Sequence, residues 1–345
     1  MFLNAHSFNQ PLDSWDVSSV TDMATMFAEA HAFNQPLNSW NTSNVQRTGS
    51  MFWGARSFNQ DLHNWDMSAD TLMSTMFVYA ESFNGDISTW DVSNVQFMNY
   101  MFYGASAFNK DLTSWNTQSL RNMTGMFGFA QSFDQPIGNW DVGSVSYFAG
   151  LFANSNFNQD LSNWDMSSAQ NLRGMFKNNP VFNQDIGNWD VSNVFDASFM
   201  FDSAATFNQD ISGWDTQSLQ EAHAMFRGAS TFNQGIGVWN VSNVKDMSFM
   251  FHGTSSFDHP LNTWDVSKVE WMNDMFSHSI FNQNLDAWLV ANVTNMDYMF
   301  IENPVFNQDL SNWCVGAIFN EPEGFGFSEE VKTPNWGNCT LFNSD

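Results

Sequence analysis

The sequence predicts a repeat solenoid with α/β coils of about 25 residues, each adding a short strand to one parallel sheet. Three observations carry this. The stretch Phe-Asn-Gln-Asp-Leu-Ser-Asn-Trp-Asp, seen at Phe157–Asp165, recurs with small changes thirteen times. Its Trp keeps register at Trp15, Trp40, Trp65, Trp90, Trp115, Trp140, Trp164, Trp189, Trp214, Trp239, Trp264, Trp288 and Trp313. A second signature, usually Met-Phe, lies between them, its Phe always twelve residues after the preceding Trp. A fixed period of this size is the mark of stacked units that share one core.

Each element of the coil follows from residue order, with Phe83–Phe108 as the example. Ile87 centres a short strand, and Asp86 and Ser88 point to the opposite face. Trp90 lies an odd three residues further on, so burying both requires a bend at Ser88–Thr89. Asp91 then opens a turn, either an Asx-turn or a helix N-cap. Phe97–Phe102 carries apolar spacing suited to one or two helical turns, and Gly104-Ala105-Ser106 turns the chain back. Two coils have 24 residues, and both lose theirs in this last turn: Phe152 to Phe157 and Phe276 to Phe281 are five apart rather than six. Thirteen strands at roughly 4.8 Å spacing would stack to about 60 Å. The Asn of Phe-Asn-Gln forms a further column, expected to be buried and to satisfy backbone groups of neighbouring coils. Met1–Phe8 aligns with Met26–Phe33 rather than with a signal peptide, so the chain is expected to derive from a longer precursor.

Composition narrows the function. The 36 acidic residues against 10 basic ones give a net charge of −26. Phosphate recognition needs clustered Lys and Arg, so nucleic acid is not an expected partner, nor is an anionic membrane surface. No apolar run reaches the roughly 18 residues of a transmembrane segment. The acid excess reads as solubility for a Phe-rich chain.

The pattern FNQDLSNWDVSNV…M…MF…A..F resembles the bacterial surface protein 26-residue repeat, grouped with the BspA-like leucine-rich repeats. The resemblance covers residues 1–313, and the closing stretch WCVGAIFNEPEGFGFSEEVKTPNWGNC is similar to the cap that follows such repeats. It implies a right-handed, leucine-rich-repeat-like solenoid over 1–313 with a C-terminal cap at 314–345. It also implies a secreted or cell-surface protein acting in adhesion, with no catalytic residues to carry over.

Chemistry-bearing groups are few. Cys314 and Cys339, one coil length apart, are positioned to clip the cap closed, which points to an oxidising, extracellular setting; the alternative is two free thiols. Asp61, Asp86 and Asp111 occupy one position in consecutive coils, as do Asp160, Asp185 and Asp210. Stacked carboxylates repel, so these columns are candidate calcium ligands; the alternative is solvated acid ladders with raised pKa values. None of the seven His pairs with another at helical metal-binding spacing, and His63 reads as solvated. Trp53, Tyr79, Tyr100, Tyr103, Phe129, Phe199, Phe249, Trp271 and Tyr298 stand at variable positions, where packing in the core competes with an interaction patch. No enzyme motif is present. The expected function is a surface scaffold recognising protein or glycan partners; the alternative is a structural protein that self-assembles into filaments or layers.

Overall fold

The computed structural model describes residues 1–326 and 332–339. The chain divides into two compact units, Met1–Ala169 and Gln170–Asp345, and each is a stack of the coils that the period marks. The expected cap at 314–345 falls in part, at 327–331 and 340–345, outside the described residues.

The element expectations need correcting. Among the described residues there is no α-helix, and strand pairing is reduced to isolated parallel bridges such as Leu72 with Phe97 and Phe97 with Asn122. The regular ladder between coils runs instead through the segment expected to be helical. In the first unit Met98, Tyr100, Phe102 and Gly104 donate their N–H groups to the next coil's Asn122, Thr124, Met126 and Gly128, at 2.7–3.2 Å. The residues between them close local turns: Met101 N–H reaches Met98 O at 3.1 Å and Ala105 N–H reaches Phe102 O at 3.0 Å. The second unit repeats this, with Leu172, Gly174, Phe176 and Asn178 donating to Asp196, Ser198, Met200 and Asp202. A left-handed residue in each turn makes the alternation possible, as at Tyr100 (φ 58°) and Gly104 (φ 72°). A helix would turn every N–H along its own axis and leave the coils unpaired.

The expected sheet at Leu or Ile gives way to side-chain bonds. Trp90 Nε1–H donates to Leu62 O of the preceding coil at 2.9 Å, and Trp214 Nε1–H to Ile186 O at 3.0 Å. The indole takes the carbonyl that a ladder N–H would otherwise claim. The Asn column acts likewise: Asn84 N–H reaches Asn59 Oδ1 at 2.8 Å, and Asn233 N–H reaches Asn208 Oδ1 at 2.8 Å. This column bonds neighbouring backbone as expected, but on the surface and not in the core.

The core consists of aromatic columns. Phe52, Phe77 and Phe102 stack at 5.4–5.6 Å, and Trp65, Trp90 and Trp115 at 6.3–6.4 Å. Within one coil Phe77 and Phe83 stack at 3.9 Å. Leu or Ile, Val and Met fill the space between, nearly all fully buried. The 24-residue coils keep this packing because a hydroxyl replaces the missing turn: Ser155 Oγ–H bonds Phe152 O at 2.8 Å, and Ser279 Oγ–H bonds Phe276 O at 2.7 Å.

The repeat pattern runs past 313. Phe325, twelve residues after Trp313, takes the Met-Phe position, and its carbonyl accepts from Phe300 N–H at 3.1 Å. Cys314 and Cys339 are disulfide-bonded with Cα atoms 4.7 Å apart. Gly337 N–H reaches Ile318 O at 2.7 Å, which draws the closing segment onto the last coil.

Candidate functional site: an aromatic groove on the first unit

The aspartates before Leu or Ile are turn locks. Asp86 Oδ1 accepts the N–H and the hydroxyl of Ser88, at 3.0 and 2.7 Å. Asp111, Asp160, Asp185 and Asp210 accept the N–H two residues on in the same way, and Asp61 Oδ1 accepts Asp86 N–H at 2.8 Å. The bonds from Ser88 hold Asp86 below the usual carboxylate range, backbone N–H first, and Thr113 and Ser162 do the same for Asp111 and Asp160. For Asp210 the Ser212 hydroxyl leads. The shifts thus oppose the raised values expected of a repelling ladder. Among the described residues neither column gathers three ligating atoms within 4.8 Å.

A true row of neighbouring carboxylates lies elsewhere. The backbones of Asp196, Glu221 and Asp246 pair one to the next in parallel bridges in the second unit. Burial, then Asp246 and Asp196, raises the Glu221 pKa. Burial alone would raise Asp246 too, but His223, its Nδ1 3.3 Å from Oδ2, and the bonds from Ser248 hold it low. The sequence shows all three acids at one coil position, but reading that segment as a helix hid their pairing.

The variable aromatics are not core residues. Trp53, Tyr79, Tyr100, Phe129 and Trp271 are exposed, and Tyr103, Phe199, Phe249 and Tyr298 are half-buried. Phe97 and Tyr147, which sequence reasoning did not single out, are exposed as well. In the first unit several of these rings gather. Tyr103 meets Tyr79, Tyr100 and Phe129 edge to face at centroid distances of 5.7, 5.6 and 5.1 Å. Trp53, Val78, Tyr79, Tyr100 and Tyr103 line a groove of about 370 Å³, with the hydroxyls of Ser50 and Thr75 bonded to each other at 2.7 Å on its wall.

Glycine shapes this groove. Tyr79 lies over Gly104 and Tyr100 over Gly125, both at left-handed φ; a Cβ on either glycine would stand 2.4 Å from the ring. The missing side chains let the rings lie down on the next coil. Burial, then Tyr79, raises the Tyr103 phenol pKa, so its O–H remains a donor at neutral pH.

The second unit treats its surface aromatics differently. Arg173, Lys177 and Arg227 sit over or beside the Phe199 ring at 4.8, 4.5 and 5.9 Å. The buried Asp202 carboxylate accepts Arg227 through two bonds, 2.9 and 2.7 Å, and lies 3.4 Å from Lys177 Nζ. Lys177 and Arg227 thus share one carboxylate, and Arg173 Nη1 lies 3.8 Å from Asp196 Oδ2.

Comparison with known proteins bears on the class of protein. The chain matches the family described as "Mycoplasma protein of unknown function, DUF285" over residues 1–86, 63–156, 137–237 and 226–336, and it belongs to that family. No curated protein is similar enough to count as a relative. Among solved structures it is similar to one from the Toll–Spatzle complex of Drosophila, at 12% identity and TM-score 0.26, over 86% of this chain and 43% of that one. It is also similar to the plant peptide hormone receptor RGFR1 in complex with RGF2, at 6% identity and TM-score 0.22, over 85% and 56%. The TLR13–ssRNA13 complex gives 10% identity and TM-score 0.20, over 91% and 56%. The chain spans about half the length of these structures, and TM-scores of this size do not establish a shared fold.

Proposed function

We propose that the chain is a recognition scaffold whose first unit holds a protein or glycan partner in the aromatic groove. The observation that carries this is the clustering of Trp53, Tyr79, Tyr100 and Tyr103 around one open groove. Exposed Trp and Tyr offer large apolar faces with polar tips, the residue types that dominate binding surfaces. Its lining comes from three consecutive coils, which suits an extended glycan or peptide segment. The net charge of −26 disfavours polyanions. The scaffold reads as a right-handed solenoid of about thirteen coils, in keeping with the BspA-like resemblance. It would work outside the cell, where the Cys314–Cys339 bond persists. The Asp86, Asp111, Asp160, Asp185 and Asp210 carboxylates are engaged as turn locks, which favours binding over catalysis. Parallel glycan and peptide arrays, probed with wild type and Tyr100→Ala, test the proposal. A ligand whose signal falls at least tenfold in the variant supports it, and equal binding of every ligand by both proteins rejects it.

A further inference from the structure

His6 and His31 are 25 residues apart, one coil length, and the stack sets them face to face. Their rings lie 4.4 Å apart between centroids, at 27°. Glu29 completes the group. Its carboxylate Oε2 lies 2.7 Å from His31 Nε2, and its backbone carbonyl lies 2.9 Å from His6 Nδ1. One ligating atom from each of the three side chains falls within 4.8 Å of the others, and among the described residues this is the only such group. We propose that His6, Glu29 and His31 form a binding site for a divalent transition-metal ion of the zinc type, a function separate from the aromatic groove.

The chemistry suits such an ion. Two imidazole nitrogens and one carboxylate oxygen are a set that zinc accepts, with water completing four ligands. A carbonyl oxygen only accepts hydrogen bonds, so His6 Nδ1 must carry the hydrogen facing Glu29 O. That fixes the tautomer and leaves the Nε2 lone pair available, the arrangement in which a backbone carbonyl orients a ligating histidine. Glu29 and His31 already touch, and an ion between them needs their ligating atoms at about 3.3 Å, given metal–ligand bonds near 2.0 Å. A small side-chain movement supplies that.

The backbone holds the group in place. Ala32 N–H bonds His6 O at 3.0 Å, locking the two histidine positions in register. Glu29 sits at a left-handed position, φ 59°, and Gly54 follows it in the next coil. A Cβ on Gly54 would stand 2.8 Å from Glu29 Oε1, so the glycine provides the space into which the carboxylate folds. Arg56, the nearest cation by coil position, is turned towards Glu81 at 3.6 Å.

The test is calorimetric titration of tag-free protein with zinc chloride, and separately with calcium chloride. The expected result is one zinc ion per chain, at least tenfold weaker binding in His6→Ala and in Glu29→Gln, and no change in His63→Ala. Calcium should not bind at these residues, since imidazole is a poor ligand for a hard cation. His6 is exposed, so His6→Ala should fold, which circular dichroism checks. Absence of saturable zinc binding, or zinc binding unchanged in both His6→Ala and Glu29→Gln, overturns the proposal.

Discussion

At the scale of single residues, the repeat Trp both fills the core and ties coils together. Trp90 is 2% exposed, and its indole N–H holds Leu62 O at 2.9 Å. Trp90→Phe keeps much of the apolar burial and leaves Leu62 O with the Trp65 N–H as its one remaining donor, an expected loss of about 0.5–1.5 kcal/mol. Trp90→Ala should cost about 3–5 kcal/mol, since it also opens a cavity; urea unfolding of both variants checks the order. The burial of Trp was legible because it recurs at a fixed period. Its hydrogen bond was not, because the partner lies 28 residues away in another coil. Asp70 went unnoticed for a related reason: it stands where other coils have Val or Leu, as at Val45, Val95 and Leu120. It is fully buried, and Thr48, itself in a Met column, donates its hydroxyl to Asp70 Oδ2 at 2.7 Å. Restoring both columns with Thr48→Met and Asp70→Val should stabilise the protein by about 1–3 kcal/mol. Asp70→Val alone should gain less, because it strands the Thr48 hydroxyl. A double-mutant cycle on thermal melts measures the coupling.

At the scale of elements, the ladder depends on left-handed residues at two positions in each coil. Ala224 occupies one of them, φ 51°, buried and with no polar side chain to lose. Relieving its Cβ by Ala224→Gly should stabilise by about 0.5–1 kcal/mol, even after the added flexibility of the unfolded chain. Gly104→Ala should do the reverse and also displace the Tyr79 ring, whose Cδ1 lies 2.4 Å from the added Cβ. Melting curves give the sign of both, and Tyr79 ring chemical shifts report the movement. This is also where sequence reasoning failed. Apolar spacing over Phe97–Phe102 fits a helix, but the same spacing arises when alternate N–H groups leave the coil to bond its neighbour. The side-chain pattern carries no record of that difference, and left-handed positions filled by Tyr, Phe or Thr give little glycine signal. The surface aromatics stayed open between core and patch for the same reason: only the actual backbone turns Tyr79 and Tyr100 outward.

At the scale of the whole chain, the acid excess is partly a structural requirement. In many coils the residue before Leu or Ile, the one after Trp, or both place Asp or Asn where it captures the N–H two residues on; Pro11, Pro36, Pro136, Gly235 and Pro260 are exceptions at the first position and Leu289 and Cys314 at the second. Asp91 with Ser93 and Asp165 with Ser167 are examples, both at 3.0 Å. The hydroxyl of each serine, then its N–H, lowers these carboxylate pKa values, as it does for Asp265. Composition disclosed the charge, but its use in turns appears only once the neighbouring serines are placed. A carboxylate with a folded pKa below its unfolded value, near 3.9, stabilises fully above that value and loses the contribution as pH falls through the folded one. Asp70 runs the other way. Burial raises its pKa, outweighing the Thr48 bond, so the folded state binds its proton more readily than the unfolded chain does. Stability from Asp70 therefore increases as pH falls from its folded pKa towards 3.9, and burial gives Glu221 the same sign. The expected melting profile rises slightly on mild acidification and then falls steeply below about pH 4, where the many turn locks outweigh Asp70 and Glu221. In Thr48→Met with Asp70→Val the early rise should shrink while the fall below pH 4 remains. A variant profile that superimposes on wild type would show that Asp70 does not titrate in the folded state as its burial requires.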